Sequence, residues 1–244
     1  MIKEAEKAFF LLNNVVAMKF YYFFFLLLSL PFFGEAQILD SLDIYDHKEF
    51  ENQTLKVFSD KGLIKLQVIK ANIIKVNFYK KDSLDIQEGQ KAVDLVNVRI
   101  TQNLEDIFMQ TDSLLIIVNK LDFSIKFQNI KEELYVKHQN VFLSDSCHSF
   151  SLANTKNEVF FNHKNRKLRP KIYRIKNLKA IYSSKKYGLF FQNLNNGYLK
   201  LNNQIINIKY CNVSALGYYF LSGGKKELGI NTSLFNKSKN RSSN

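Results

Sequence analysis

Leu63 to Lys81 reads LIKLQVIKANIIKVNFYKK. Ile64, Leu66 and Val68 recur at every second position, and so do Ile74, Val76 and Phe78. A period of two places each trio on one face of an extended strand, whereas a helix would need apolar residues at three- and four-residue intervals. Ala71-Asn72 lies between the two runs, so the stretch predicts two strands and a tight turn.

The same reading extends along the chain. VNVRI (Val96 to Ile100) alternates, and so does TDSLLIIVNKLDFSIKFQN, where Leu114, Ile116 and Val118 are followed by Phe123, Ile125 and Phe127. Further short strands are expected around Glu133–Lys137, Ser149–Ala153, Ile172–Ile175, Leu178–Tyr182, Tyr187–Gln192, Gly197–Leu201, Ile205–Tyr210 and Ala215–Leu221. No stretch sustains a helical period. Many short strands joined by short polar turns predict an all-β protein in which antiparallel sheets pack face to face as a β-sandwich.

The 244 residues are 46% hydrophobic and 14% aromatic, enough for a real core and too apolar for a disordered chain. The N-terminus is different. From Met18 the chain reads MKFYYFFFLLLSLPFFGEAQ, with an apolar run from Phe20 to Phe33 and a small-x-small site at Gly34-Glu35-Ala36. The run is shorter than the roughly 20 residues of a membrane span, so a cleaved export signal is expected, with Gln37 as the first mature residue and no anchor left behind. Residues 1–36 are then leader and signal peptide, with residues 1–17 an over-extended start. Residues 37–224 are the sandwich domain, and residues 225–244 a polar disordered tail. The exported product belongs in the periplasm or outside the cell.

Cys147 and Cys211 are the only cysteines. They are too few for a disulfide scaffold or a cysteine-rich zinc site, and the sequence leaves one disulfide and two free thiols equally open. The formal net charge is +13, and Lys156 to Lys186 contains Glu158 as its sole acid. Such a segment can bind phosphate backbones. Lys and Asn are abundant throughout the chain, however, and an exported protein seldom meets nucleic acid, so no nucleic-acid partner is expected.

Catalytic patterns are sparse. His47, His138, His148 and His163 lie too far apart for a local metal motif. There is no G-x-S-x-G elbow and no phosphate-cradling glycine loop. DSLDIYDHKEFE (Asp40 to Glu51) and DSLDIQEG (Asp82 to Gly89) carry neighbouring acids, which read as solvated loops rather than the two carboxylates of a glycosidase cleft. No catalytic residue, metal or cofactor is assigned.

The order of the strands resembles the N-terminal β-sandwich of family-31 glycoside hydrolases, the α-glucosidase-like enzymes, in the form found in exported bacterial members. ANIIKVNFYKKD is similar to an early strand of that domain, and TDSLLIIVNKLDFSIKFQN to its next paired strands. FSLANTKNEVFF and Asn165-Arg166-Lys167 resemble the segment around the family's Y-G-x-G and Asn-Arg-Arg. Tyr187-Gly188-Leu189-Phe190-Phe191-Gln192-Asn193 resembles its Y-G-x-x-F-D-N, and ALGYYFLSGG its last sandwich strand. Gln192 stands where the family has Asp, the glycine-rich turn after Val159 is missing, and the segment from Lys167 to Tyr182 is short.

The resemblance implies a galactose-mutarotase-like sandwich ahead of a catalytic barrel. Only 20 residues follow Gly224 here, so a truncated domain without chemistry of its own is expected. The implied partner is carbohydrate, with Tyr182, Tyr187 and Tyr198 as exposed candidates for stacking on sugar. A free-standing exported module for glycans or for polyanions is the alternative.

Overall fold

The computed structural model describes residues 40–223 apart from 43, 82–94, 145, 154–156, 193–196, 203–204 and 214. The expected signal peptide, the acids of Asp82–Gly89 and the polar tail therefore lie outside the described residues.

The opening hairpin forms as read. Gly62–Lys70 is β4 and Ile73–Lys80 is β5, paired antiparallel with Ile64 opposite Phe78 and Leu66 opposite Val76. On the other flank of β5 lies β18 (Ala215–Ser222), with Leu216 opposite Phe78 and Phe220 opposite Ile74. These central strands continue outward through β15 (Tyr187–Phe191), β14 (Ala180–Ser183) and β12 (Phe160–Asn162). On the opposite side they reach β3 (Thr54–Ser59) and the edge strand β2 (Tyr45–Glu51), completing an eight-stranded sheet.

The second sheet starts as a meander of β6 (Arg99–Gln102), β7 (Asp106–Gln110), β8 (Leu114–Asn119), β9 (Ile125–Asn129) and β10 (Leu134–Leu143). It is extended by β11 (Cys147–Ala153), β17 (Ile205–Cys211), β16 (Gly197–Leu201) and the edge strand β13 (Lys171–Arg174). The two-residue β1 (Asp40–Ser41) pairs with β10, making ten strands. Side chains close the meander's turns: Asn103 Oδ1 accepts from the Asp106 amide at 2.6 Å, and Asn119 Oδ1 from the Leu121 amide at 3.0 Å. This is the local hydrogen bonding that makes Asn a turn residue.

The sheets meet through their apolar faces. Phe220 of β18 stacks on Phe127 of β9 at 4.1 Å, Phe78 of β5 on His138 of β10 at 4.8 Å, and Tyr218 on Phe150 of β11 at 5.1 Å. One hydrophobic core draws on both layers, and the expected β-sandwich is the fold. The Cys147–Cys211 pair is a disulfide joining β11 to β17, where the two residues are register partners.

Several local readings need correction. Tyr45–Glu51, read as solvated loop, is a strand: its residues are mostly exposed and carry no alternation, and pairing with β3 holds it extended. Charged residues on such an edge also keep it from pairing with other chains. The strand expected at Val96–Ile100 begins only at Arg99, and DIFMQ (β7) was missed. Between β13 and β14, Ile175–Leu178 is a single helical turn, α1, that anchors Ile175 and Leu178 in the core. His138 and His148, far apart in sequence, are both buried.

Candidate functional site

The candidate tyrosines occupy three separate environments. Tyr187 was expected to be exposed and is fully buried, its ring stacked on Phe220 at 5.7 Å. Its parity put it on the inner face, where Leu189 and Phe191 also point. Burial, with Glu158 beside it, pushes the Tyr187 phenol well above its usual range. A ring sealed in the core cannot stack on a ligand.

Tyr182 sits half-buried on the outer face of the eight-stranded sheet, edge-on to Phe190 at 5.9 Å. It crosses the sheet from Gly188, where an added Cβ would lie 3.0 Å from the tyrosine ring. The glycine provides the shelf on which this ring rests, so Tyr182 acts as a packed member of that face.

Tyr198 is the one that remains open, at 46% exposure. It lies on the outer face of the ten-stranded sheet, in register with Arg174 on one side and Lys209 on the other. Lys200, two residues along the same strand, is exposed as well. The basic segment therefore contributes a cation to a face that also carries an aromatic ring.

The acids of β2 are engaged by neighbouring side chains. Glu49 accepts a hydrogen bond from Lys56 Nζ at 3.0 Å, and His47 Nδ1 lies 3.1 Å from Asp46. The Lys56 hydrogen bond holds the Glu49 carboxyl below its usual range. These side chains are exposed on an edge strand. Among the described residues, no group of three or more His, Cys, Asp or Glu is placed to hold a metal ion. No described helix is long and apolar enough to cross a membrane.

A concave feature lies elsewhere among the described residues, with no signature in the sequence. A cavity of about 260 Å³ lies where the β8–β9 turn, at Leu121 and Asp122, faces Gln139, Asn140 and Phe142 of β10. It exists because β10 outruns its neighbour. Pairing with β9 ends at His138 opposite Ile125, and pairing with β1 begins at Phe142 opposite Ser41. Between them, Gln139 to Val141 have no ladder partner on that side.

A bulge in β10 against β11 falls at the same place, between Gln139 and Phe142, and Asn140 adopts a left-handed φ of 54°. Asn140 Nδ2 donates to Ser151 Oγ at 3.2 Å, which fixes the amide at the rim. Bulges re-aim side chains in this way. Across the opening, an Asp122 carboxylate oxygen accepts from the Ser124 amide at 2.9 Å and the other lies 3.6 Å from Lys137 Nζ. Burial works to raise the Asp122 pKa, but the Ser124 hydrogen bonds and Lys137 prevail and hold it below its usual range.

A GH31 dextranase of Flavobacterium johnsoniae in complex with isomaltotriose superposes over 75% of this chain, with a TM-score of 0.64 and 17% identity. The shared fold is that of a GH31 sandwich. The cycloalternan-forming enzyme of Listeria monocytogenes, in complex with a pentasaccharide substrate, matches 75% of the chain at a TM-score of 0.59 and 12% identity. A GH31 α-xylosidase from a soil metagenome, complexed with xylose, matches 73% at 0.56 and 11% identity. The chain spans 27%, 21% and 32% of the lengths of these three enzymes. No family model matches the sequence, and no curated protein does.

Proposed function

We propose that this chain is the exported, non-catalytic β-sandwich of a GH31-type carbohydrate-active enzyme, and that its role is to contact carbohydrate. The fold match over three quarters of the chain to such enzymes carries the reading. The lack of chemistry rests on the distribution of acids. Glycoside hydrolysis takes two carboxylates set across a cleft, roughly 5–10 Å apart. Here the cavity is lined by a single one, Asp122, and the acids of β2 are spent on neighbours along an open edge. The Cys147–Cys211 disulfide supports export, because such bonds persist in oxidising compartments.

The test is a hydrolysis assay on the purified chain, recovered after secretion, with maltose and a nitrophenyl α-glucoside. No turnover is expected. Turnover that disappears when Asp82, Asp85 and Glu88 are replaced by their amides would overturn the non-catalytic reading. Retention of residues 19–33 in the secreted product, read by N-terminal sequencing, would overturn cleavage of the signal.

A further inference from the structure

We propose that the notch on β10 is a subsite for one neutral sugar residue; this rests on the carbohydrate-contacting role above and gives it a location. The volume is the first argument. At about 260 Å³ the cavity falls below the roughly 300–1,000 Å³ of pockets for drug-sized ligands, and so suits a single ring rather than an oligosaccharide.

The chemistry of the walls is the second. A pyranose presents hydroxyls at its rim and C–H groups on its faces. The Asp122 carboxylate, held ionised by Ser124 and Lys137, accepts from hydroxyls. The Asn140 amide, set by its bond to Ser151, leaves its carbonyl oxygen for a second hydroxyl. Gln139 to Val141 have no register partner on that side, which leaves the strand edge open there. Phe142, half-buried, and Leu121, 73% exposed, offer apolar surface to the ring's C–H face.

Charge decides against the other ligand that a carboxylate and carbonyls could take. A calcium ion needs six to eight oxygens around uncompensated negative charge. Asp122 is the single carboxylate of the notch, and Lys137 lies 3.6 Å from it. A neutral ligand fits this balance, and a cation does not.

The construction of the notch also explains an otherwise costly arrangement. Asn140 occupies a left-handed conformation, Phe123 behind the opening does so as well at φ 50°, and the bulge interrupts β10, the ten-residue strand of the sheet. Irregularities of this kind persist where the surroundings impose them and concentrate at ligand sites.

The experiment is an NMR titration of the full secreted chain with glucose, xylose and isomaltotriose. Amide shifts should centre on Asp122 and Asn140, with affinity in about the millimolar range. Asn140→Gly keeps the backbone conformation and removes the amide, and Phe142→Ala removes the ring. Each should weaken binding about tenfold while the melting temperature and the rest of the spectrum are kept. Asp122→Asn keeps the shape and provides a second reading should Phe142→Ala fail to fold. Undiminished binding in these variants, with loss on Tyr198→Ala, would overturn the notch and leave the carbohydrate-contacting role standing. No shift with any of the sugars at about 50 mM would overturn the notch, while the hydrolysis assay would still decide the non-catalytic reading. Saturable shifts with calcium chloride, abolished by Asp122→Asn, would overturn the assignment to sugar.

Discussion

Strands β5 and β16 carry the same kind of sequence and meet different fates. In β5, IIKVNFYK, every residue except the last is buried, including Lys75 at 5% and Asn77 at 2% exposure. In β16, GYLKL, burial alternates strictly, and Tyr198 and Lys200 are exposed. Both have polar residues at every second position. Period two therefore reports which side chains share a face, and it does not report whether the opposite face is wet. That depends on what covers the outer face, and an interior position alone does not decide it: β17, between β11 and β16, also alternates between buried and exposed residues.

The largest expected effect tests the face on which the two sheets agree. Phe78 is fully buried between His138 and Phe150, so Phe78→Ala should cost about 3–5 kcal/mol by loss of burial and creation of a cavity. Phe150→Ala, from the opposing layer, should fall in the same range. Urea titrations giving under about 1 kcal/mol for Phe78→Ala alone would mean that the centre of the eight-stranded sheet is not packed as described.

Next comes acid. The His138 ring touches Phe78, Phe150 and Tyr218, and neither ring nitrogen has a hydrogen-bond partner in the described structure. No charged group is among those contacts, and burial alone lowers its pKa to about 3. A histidine whose folded pKa lies below its unfolded value of about 6.5 binds its proton more tightly when unfolded. Its contribution is fully present above pH 6.5 and is lost at up to about 1.4 kcal/mol per pH unit as pH falls towards 3. His138→Phe should flatten that part of the stability curve. An identical slope in the variant would assign the acid sensitivity to other groups.

The fold was legible because it rests on alternation and turns. Leu114, Ile116 and Val118 announce β8 and its buried face from the sequence alone, and Asn119 marks its end. β7 escaped although Ile107 and Met109 are buried, and so did β2, which is held by pairing rather than burial. β2 has no apolar period, and its extended form becomes visible only when β3 lies beside it. Tyr187 was misread for a related reason: tyrosine is amphipathic, and its hydroxyl tempts a surface assignment that the parity of Leu189 and Phe191 contradicts. The notch had no sequence signature. It arises from a mismatch of strand lengths between β9, β10 and β1, a property of pairing that single-strand patterns do not contain.

The smallest effect addresses the comparison directly. By parity alone, Lys75→Ala and Lys200→Ala should be equally harmless, since both lysines point away from the inter-sheet core. The burial of Lys75 changes this for β5. A lysine stem of four methylenes packed on that face loses apolar contact when truncated, whereas a solvated stem loses little. Lys75→Ala should therefore cost about 1–3 kcal/mol, and Lys200→Ala should stay within about 0.5 kcal/mol. Lys75→Met separates the causes, because it restores most of the stem without the charge. Recovery of stability in Lys75→Met would assign the cost to packing, and no recovery would assign it to the ammonium group. If Lys75→Ala matches Lys200→Ala within error, the outer face of β5 is solvated in solution, and the two strands differ only in their neighbours.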